Sequence, residues 1–324
     1  MIRRFQMYYI AFDVSKKVLY GFDGEKELAF DNKKGLKALK SYLKKKYKDL
    51  NDLVIVFEAT GVYSNYLKAF CAVNNLKVYI INPKRSSNFS KAIGNRSKTD
   101  KIDTKQTIYE YRKIIGPKDI KVPKIDQVAQ TLSAYLTSYK FTVKKRVSIS
   151  NHLEALERNT SSLELVALLK GELKQTKKTE EKIKAKIEEY IKKDSQLNED
   201  YKRQMTIPGV GKVSAICLLT LFNQYKDTNQ AQITALVGLD PTKRESGTSV
   251  KGKMKISKNG DRMIRGTLYF PLLSAIRFNK KIKALYDRLL ANHKPKQVAL
   301  IAAMRKLILI SHAIYKNKTV YSAV

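Results

Sequence analysis

The stretch NRSKTDKIDTKQTIYEYRK, residues 95–113, sets two aspartates, Asp100 and Asp103, three apart among lysines and arginines. Aspartate is favoured at a helix start, where it caps backbone N–H groups and complements the helix dipole, and that would account for either residue alone. Two further acids stand in less ordinary places. Asp13 follows the apolar run YYIAF and Glu58 follows LVIVF. A lone carboxylate at the end of a buried strand is costly, by on the order of several kcal/mol or a large pKa shift, unless it has a partner. Four such groups brought together would repel one another unless divalent cations neutralised them. An all-oxygen set suits Mg²⁺ or Mn²⁺, and a pair of such metals can clamp a phosphate.

Those acids need elements that bring them together. MYYIAFDVS and KVLYGFDG are β-rich runs separated by a short polar turn, with a weaker third run in KELAFD. KKGLKALKSYLKKKY carries Leu36, Leu39 and Leu43 at helical spacing. DLVIVFEAT is a buried strand, YSNYLKAFCAVNN a helix and KVYIIN a strand ended by Pro83; a last helix spans roughly Thr99 to Ile115. Three strands, then helix, strand, helix, strand, helix is the order of an α/β ribonuclease-H-like domain, here residues 1–122. In such a sheet the first and fourth strands are neighbours, so Asp13 and Glu58 face each other. Asp100 and Asp103 share one helical face that can close over the same spot.

GPKDIKVP, residues 116–123, reads as a linker from its glycine and two prolines. Residues 123–200 read as a helical middle. Leu153, Leu156, Leu163, Val166 and Leu173, then Ile183, Ile187 and Ile191, fit long amphipathic helices. These pair either as a coiled coil, within or between chains, or as an intramolecular hairpin. Residues 201–324 form a mainly α C-terminal domain. Its opening, MTIPGVGKVSAICLLTLF, resembles a helix-hairpin-helix, whose exposed N–H groups at Gly209, Gly211 and Lys212 can take a phosphate, although the same letters also make an ordinary tight turn. In RESGT, Ser246 lies in a Gly-flanked, Lys/Arg-rich loop, and on letters alone Ser-Gly is turn chemistry.

Lysine and arginine number 64 against 29 acids in 324 residues, a formal charge of +35. That excess calls for a polyanionic partner, and its interleaving with Tyr and Phe suits nucleic acid better than a lipid surface. Cys71 and Cys217 lie in apolar settings and read as core residues, and the three histidines lack ligand spacing. The opening MIRRFQMYYIAF has no cleavage site and is not read as a signal peptide. QVALIAAMRKLILISHAIY, broken by Arg305 and Lys306, reads as a buried helix rather than a membrane span. A soluble, intracellular protein with no membrane partner is expected.

The pattern resembles the DEDD transposases of the IS110 group of insertion sequences, with a RuvC-like N-terminal domain, over nearly the whole chain. AFDVSKK, FEATGVY, NPKRSSNFSKAIGNRSKTDKIDTKQTIYEY, IPGVG and GLDPTKRESGTSVKGKMKISKNGDRMIRGTLY fall where that family has its matching segments. The resemblance implies that Asp13, Glu58, Asp100 and Asp103 are the metal-binding quartet. It also implies that Ser246 is a nucleophile forming a phosphoserine link in a composite site with those metals, with Ser249 as fallback. It further implies donor and target DNA, a structured guide RNA (a bridge RNA) and a homo-oligomer, dimer or tetramer. The nucleic-acid contacts expected are Lys84, Arg85, Arg96, Lys98 and Lys101 beside the acids, and Lys243, Arg244, Lys251, Lys253, Lys258, Arg262 and Arg265 around the serine.

Two other readings use the same residues. A resolvase-like endonuclease would hydrolyse the phosphodiester with water at the same acids, and RESGT with the C-terminal domain argues against it. A non-catalytic nucleic-acid-binding protein with a decayed site is opposed by the presence of all four acids.

Overall fold

The apolar run YYIAFDV forms β1 (Tyr8–Val14). The Ser15 hydroxyl closes the turn after it, accepting from Val18 N–H at 3.0 Å and donating to its carbonyl at 2.9 Å. The chain returns as β2 (Val18–Phe22) and β3 (Glu27–Asp31), followed by α1 (Leu36–Lys46), β4 (Leu53–Glu58), α2 (Asn65–Val73) and β5 (Lys77–Ile81). The sheet order is β3-β2-β1-β4-β5, with β1, β2 and β3 antiparallel and β1, β4 and β5 parallel. Every residue of β4 except Glu58 is buried, as a central parallel strand covered on both faces requires. This mixed sheet, followed by a mostly helical remainder, is compatible with the ribonuclease-H-like domain expected.

The computed structural model describes residues 7–94, 103–159, 162–242, 245–246, 250–251 and 255–322, in two compact units, Met1–Ile125 and Asp126–Val324. Arg96, Lys98, Asp100, Lys101, Lys243, Arg244, Ser249 and Lys253 lie outside the described residues, and Ser246 and Lys251 are described by their backbone.

The first unit differs from the sequence reading in three places. A helix absent from that reading, α3 (Pro83–Ala92), follows β5 directly. Asn82 caps it by accepting from Lys84 N–H at 2.9 Å, and Pro83 occupies the first turn, where a missing N–H costs nothing. The described part of the expected last helix is a π-helical stretch, Asp103–Tyr109, tightening to a 3₁₀ turn, Glu110–Ile114, rather than a regular α-helix. Within the linker, Lys121 pairs antiparallel with Val78 (N···O 2.9 and 3.2 Å), adding a rung to the sheet beyond β5.

In the second unit α4 (Gln127–Asn159) and α5 (Leu163–Lys193) form an antiparallel hairpin within one chain. Arg146–Glu180 at 2.7 Å, Lys145–Glu172 at 2.9 Å and Lys170–Glu157 at 2.8 Å link them along its length. Then come α6 (Ser195–Met205), α7 (Lys212–Gln224) and α8 (Gln230–Val237). Short strands β6 (Pro241–Thr242), β7 (Glu245–Ser246), β8 (Val250–Lys251) and β9 (Lys255–Ile256) follow. The unit ends with α9 (Arg262–Thr267), α10 (Tyr269–Phe278), α11 (Lys280–Ala291) and α12 (Lys296–Asn317). α7 is apolar almost all round and therefore central. Leu132, Leu136, Ile187 and Ile191 of the hairpin share its core, so residues of the helical middle pack into the same unit as the C-terminal helices. α12 is long and apolar enough to cross a membrane by length and composition, but half of that window is buried inside this unit.

Candidate active site and nucleic-acid interface

The two faces of the sheet are told apart by the period-2 alternation of its strands. Ile10, Phe12 and Val14 of β1 and Ile55 and Phe57 of β4 pack with Leu39, Leu43, Leu67 and Cys71 from α1 and α2. Ala11, Val54 and Val56 pack on the opposite face with Ile108 and Tyr111 of the 103–114 segment. Asp13 continues the alternation of Ala11, and Glu58 that of Val54 and Val56, so both carboxylates leave the sheet on the face covered by that segment. The parallel register pairs Phe12 with Phe57, which places Asp13 and Glu58 one step further on, side by side at the strand ends.

Asp103 opens the covering segment. Its neighbour Thr104, buried, donates from Oγ1 to the carbonyl of Tyr20 at 3.4 Å, and Tyr20 is the residue opposite Asp13 in the β1–β2 register. Three of the four expected acids are thus carried to one end and one face of the sheet, each half-buried. Among the described residues no group of three or more potential ligands stands within metal-holding distance, and Asp100 is outside them. The donor set still fits a hard divalent cation, because all its ligands are carboxylate oxygens. Glu58 in particular has no cationic side chain paired with it among the described residues.

Asn32, which sequence reasoning missed, ties the loops behind both acids. It is 2% exposed, and its Nδ2 donates to Ser15 O at 2.8 Å and to Tyr63 O at 3.1 Å. Ser15 lies two residues after Asp13 and Tyr63 five after Glu58, so a single amide holds the ends of β1 and β4 together. Its backbone N–H donates to Lys17 O at 2.8 Å, fixing it under the same turn. No local signal could have found it, since Asn in DNKKG reads as a turn residue.

Of the basic positions in this unit, Lys84 and Arg85 stand exposed on the first turn of α3. In the second unit Ser246 lies on a β-ladder rung rather than in an open loop. It pairs with Val250, and Glu245 pairs with Lys251, beyond the rungs Pro241–Ile256 and Thr242–Lys255. IPGVG connects α6 and α7. Gly209 has φ +96°, and a Cβ there would meet the Ala275 backbone at 2.6 Å, so only glycine allows the turn to seat against α10. Gly211 caps α7, its N–H donating to Ser214 Oγ at 2.9 Å.

Two of the residues expected to contact phosphate also have protein partners. Lys212 Nζ lies 3.0 Å from Glu188, though it remains half-exposed. Arg265 Nη1 turns inward, donating to Val237 O at 2.6 Å and Gly260 O at 3.1 Å, where it braces the turn after α8. Lys258 and Arg262 are exposed.

Comparison with known proteins supplies the class. Residues 13–158 match the family model of DEDD transposases, a segment that begins at Asp13 and includes Glu58, Asp100 and Asp103. The enzyme is a transposase: it cuts and rearranges DNA, and DNA is its substrate. Residues 201–287 match a second model, described as transposase of the IS116/IS110/IS902 family. The chain is 25% identical over 290 residues to the pilin gene-inverting protein of Moraxella bovis, covering 89% of this chain and 87% of that protein. The pilin gene-inverting protein of Moraxella lacunata matches to the same extent. An uncharacterised 43.6 kDa protein of the insertion element IS110 of Streptomyces coelicolor is 26% identical over 119 residues, 36% of this chain and 29% of that one. The chain belongs to the IS110 family of insertion-sequence transposases.

Proposed function

We propose that this transposase excises and inserts DNA through a covalent phosphoserine intermediate at Ser246, assisted by Mg²⁺ or Mn²⁺ held by Asp13, Glu58, Asp100 and Asp103. The observation that carries the reading is the common face and end of the sheet reached by Asp13, Glu58 and the segment opened by Asp103. Divalent cations held by these carboxylates would neutralise charge at the reacting phosphate.

The remaining work belongs to the chain. Ser246 Oγ attacks phosphorus, its proton leaves to solvent or an acceptor oxygen, and the 3′ oxygen departs and is protonated. The Oγ–P bond keeps the 5′ end attached until a 3′ hydroxyl from another strand attacks the same phosphorus and restores Ser246. Lys243, Arg244, Lys251 and Lys253 offset the charge that develops on the phosphorane. Basic side chains, Lys84 and Arg85 among them, take backbone phosphates of DNA and of an element-encoded guide RNA, so that base pairing, not the protein, reads the target. Exchange between two duplexes calls for a homo-oligomer acting in the cytoplasm.

The two Moraxella relatives are named for inverting a gene. An inversion rejoins every bond it breaks, and that supports a covalent mechanism over hydrolysis, which discards the bond energy. A suicide DNA substrate, nicked so that the leaving fragment diffuses away, tests this. Wild type should trap an adduct stable in denaturant, and Ser246→Ala should lose adduct and cleavage together, while Ser249→Ala loses far less. Cleavage by Ser246→Ala, or free 5′ phosphates with no adduct, would make water the nucleophile.

A further inference from the structure

The second unit carries a trough whose floor is α9 and α10. Met263, Thr267, Phe270 and Ser274 follow one another at helical spacing and line it. On one side, about 410 Å³ of open space is bounded by Phe270, Lys184, Lys212 and the Gly209–Gly211 turn. On the other, about 690 Å³ is bounded by Met263, Lys140, Lys144 and Arg262. Thr267 lines both, so the two spaces are neighbours along the floor.

The trough combines features a soluble protein rarely leaves uncovered. Phe270 is 76% exposed and Met263 41%, large apolar groups beside Lys140, Lys144, Lys184, Lys212 and Arg262. Asp261 is the one acid among its described lining residues, and that carboxylate accepts from Met263 N at 2.6 Å and Ile264 N at 3.2 Å as the cap of α9. Lys184 and Lys212 pair with Glu181 and Glu188 of α5, whereas Lys144 and Arg262 have no acidic partner among the described residues. The walls are therefore cationic and the floor carries one exposed aromatic ring, Phe270. A protein surface would match the floor and not the walls, and a duplex would match the walls and not the floor, because its base faces are already stacked.

We propose that this trough binds single-stranded nucleic acid, with a base stacked on Phe270 and the flanking phosphates held by Lys140, Lys144 and Arg262. The inference rests on the chain being a DNA-rearranging enzyme and names the form of nucleic acid this surface takes. It does not depend on the nucleophile.

The chain contains no tryptophan, so Phe270→Trp places a single indole on the trough floor of the full-length protein. Its fluorescence should be quenched on titration with oligo(dT) or oligo(U) and left unchanged by a duplex of equal length. The two oligonucleotides separate an unpaired DNA strand from an RNA segment as the occupant. In anisotropy, Phe270→Ala should weaken single-strand binding roughly tenfold without altering the salt slope. Phe270→Trp should retain affinity, and Phe278→Ala, equally exposed on α10 but outside the trough, should change nothing. The Lys144→Ala, Arg262→Ala pair should lower the slope of log affinity against log salt by about 0.7 for each phosphate no longer held.

An unquenched indole at saturating single strand, or equal losses on single strand and duplex in Phe270→Ala, would overturn the proposal. Phe270 is largely exposed, so its variants should melt like wild type. These readouts need no cleavage, so a missing serine adduct would refute the nucleophile and leave the trough standing.

Discussion

Replacing Asn32 tests whether one buried amide holds the acid-bearing strand ends. Asn32→Leu preserves volume and removes two hydrogen bonds, to Ser15 O and Tyr63 O. At about 1 kcal/mol net for each, the loss is about 2 kcal/mol, reduced somewhat because Asn32 Oδ1, buried and unpartnered, is removed as well. Asn32→Asp is nearly isosteric but points carboxylate oxygen at the same two carbonyls and buries an unpaired charge, which should cost about 3 kcal/mol or more. Hydrogen exchange in the full-length protein reads this locally. Peptides covering residues 8–16 and 53–64 should lose protection by roughly tenfold in Asn32→Leu and by more in Asn32→Asp, at about 1.4 kcal/mol per tenfold. Mn²⁺ titration should show weaker binding in the same order, because the spacing of Asp13 and Glu58 is no longer fixed. If Asn32→Asp proves milder than Asn32→Leu, or if protection falls everywhere except these peptides, the amide is not the tie.

Asp13→Ala and Asp100→Ala should each abolish strand cleavage while gel-shift affinity for DNA stays within about twofold; cleavage retained in both would remove the quartet from the reaction. Asp23 provides a pH test. Burial pushes its carboxyl up, but hydrogen bonds from Lys46 Nζ (2.6 Å), from the Tyr42 hydroxyl and from the N–H groups of Lys26 and Glu25 outweigh that and hold it at about 2. A folded pKa below the ordinary 3.8 stabilises the protein above pH 4, and the contribution disappears as pH falls from 4 to 2. Its size is about 2 kcal/mol, so melting curves of Asp23→Asn and wild type should differ at pH 6 and converge near pH 2.

The strands and the acids at their ends were legible because they obey local rules. Period-2 apolar runs mark a sheet packed on both faces, and a carboxylate closing such a run stands out against it. α3 was missed because Pro83 can both end a strand and start a helix, and Asn82 had to be recognised as its cap. The 103–114 segment has Ile108, Tyr111 and Ile115 at spacings that also suit a regular helix. Its actual path follows the burial of Thr104 and Thr107, β-branched residues with low helix preference. The roles of Asn32 and Arg265 depend on carbonyls as far as 31 and 28 residues away, and no window of sequence displays such partners. RESGT read as a loop because its strand is two residues long and is held by pairing with Val250 and Lys251.

The rung between Lys121 and Val78 has a consequence for taking the molecule apart. A sheet edge with bare N–H and C=O groups invites pairing with another copy. On the β3 side, Glu27 and Asp31 place charge along that border. On the β5 side, the chain's own continuation occupies part of it before departing for the second unit. A fragment cut at residue 115 would uncover this border and should self-associate as it folds, whereas one cut at 125 carries its own cover. The stretch that looks like a dispensable connector is thus the selvedge of the first unit, the finished margin that keeps the weave from joining its neighbour.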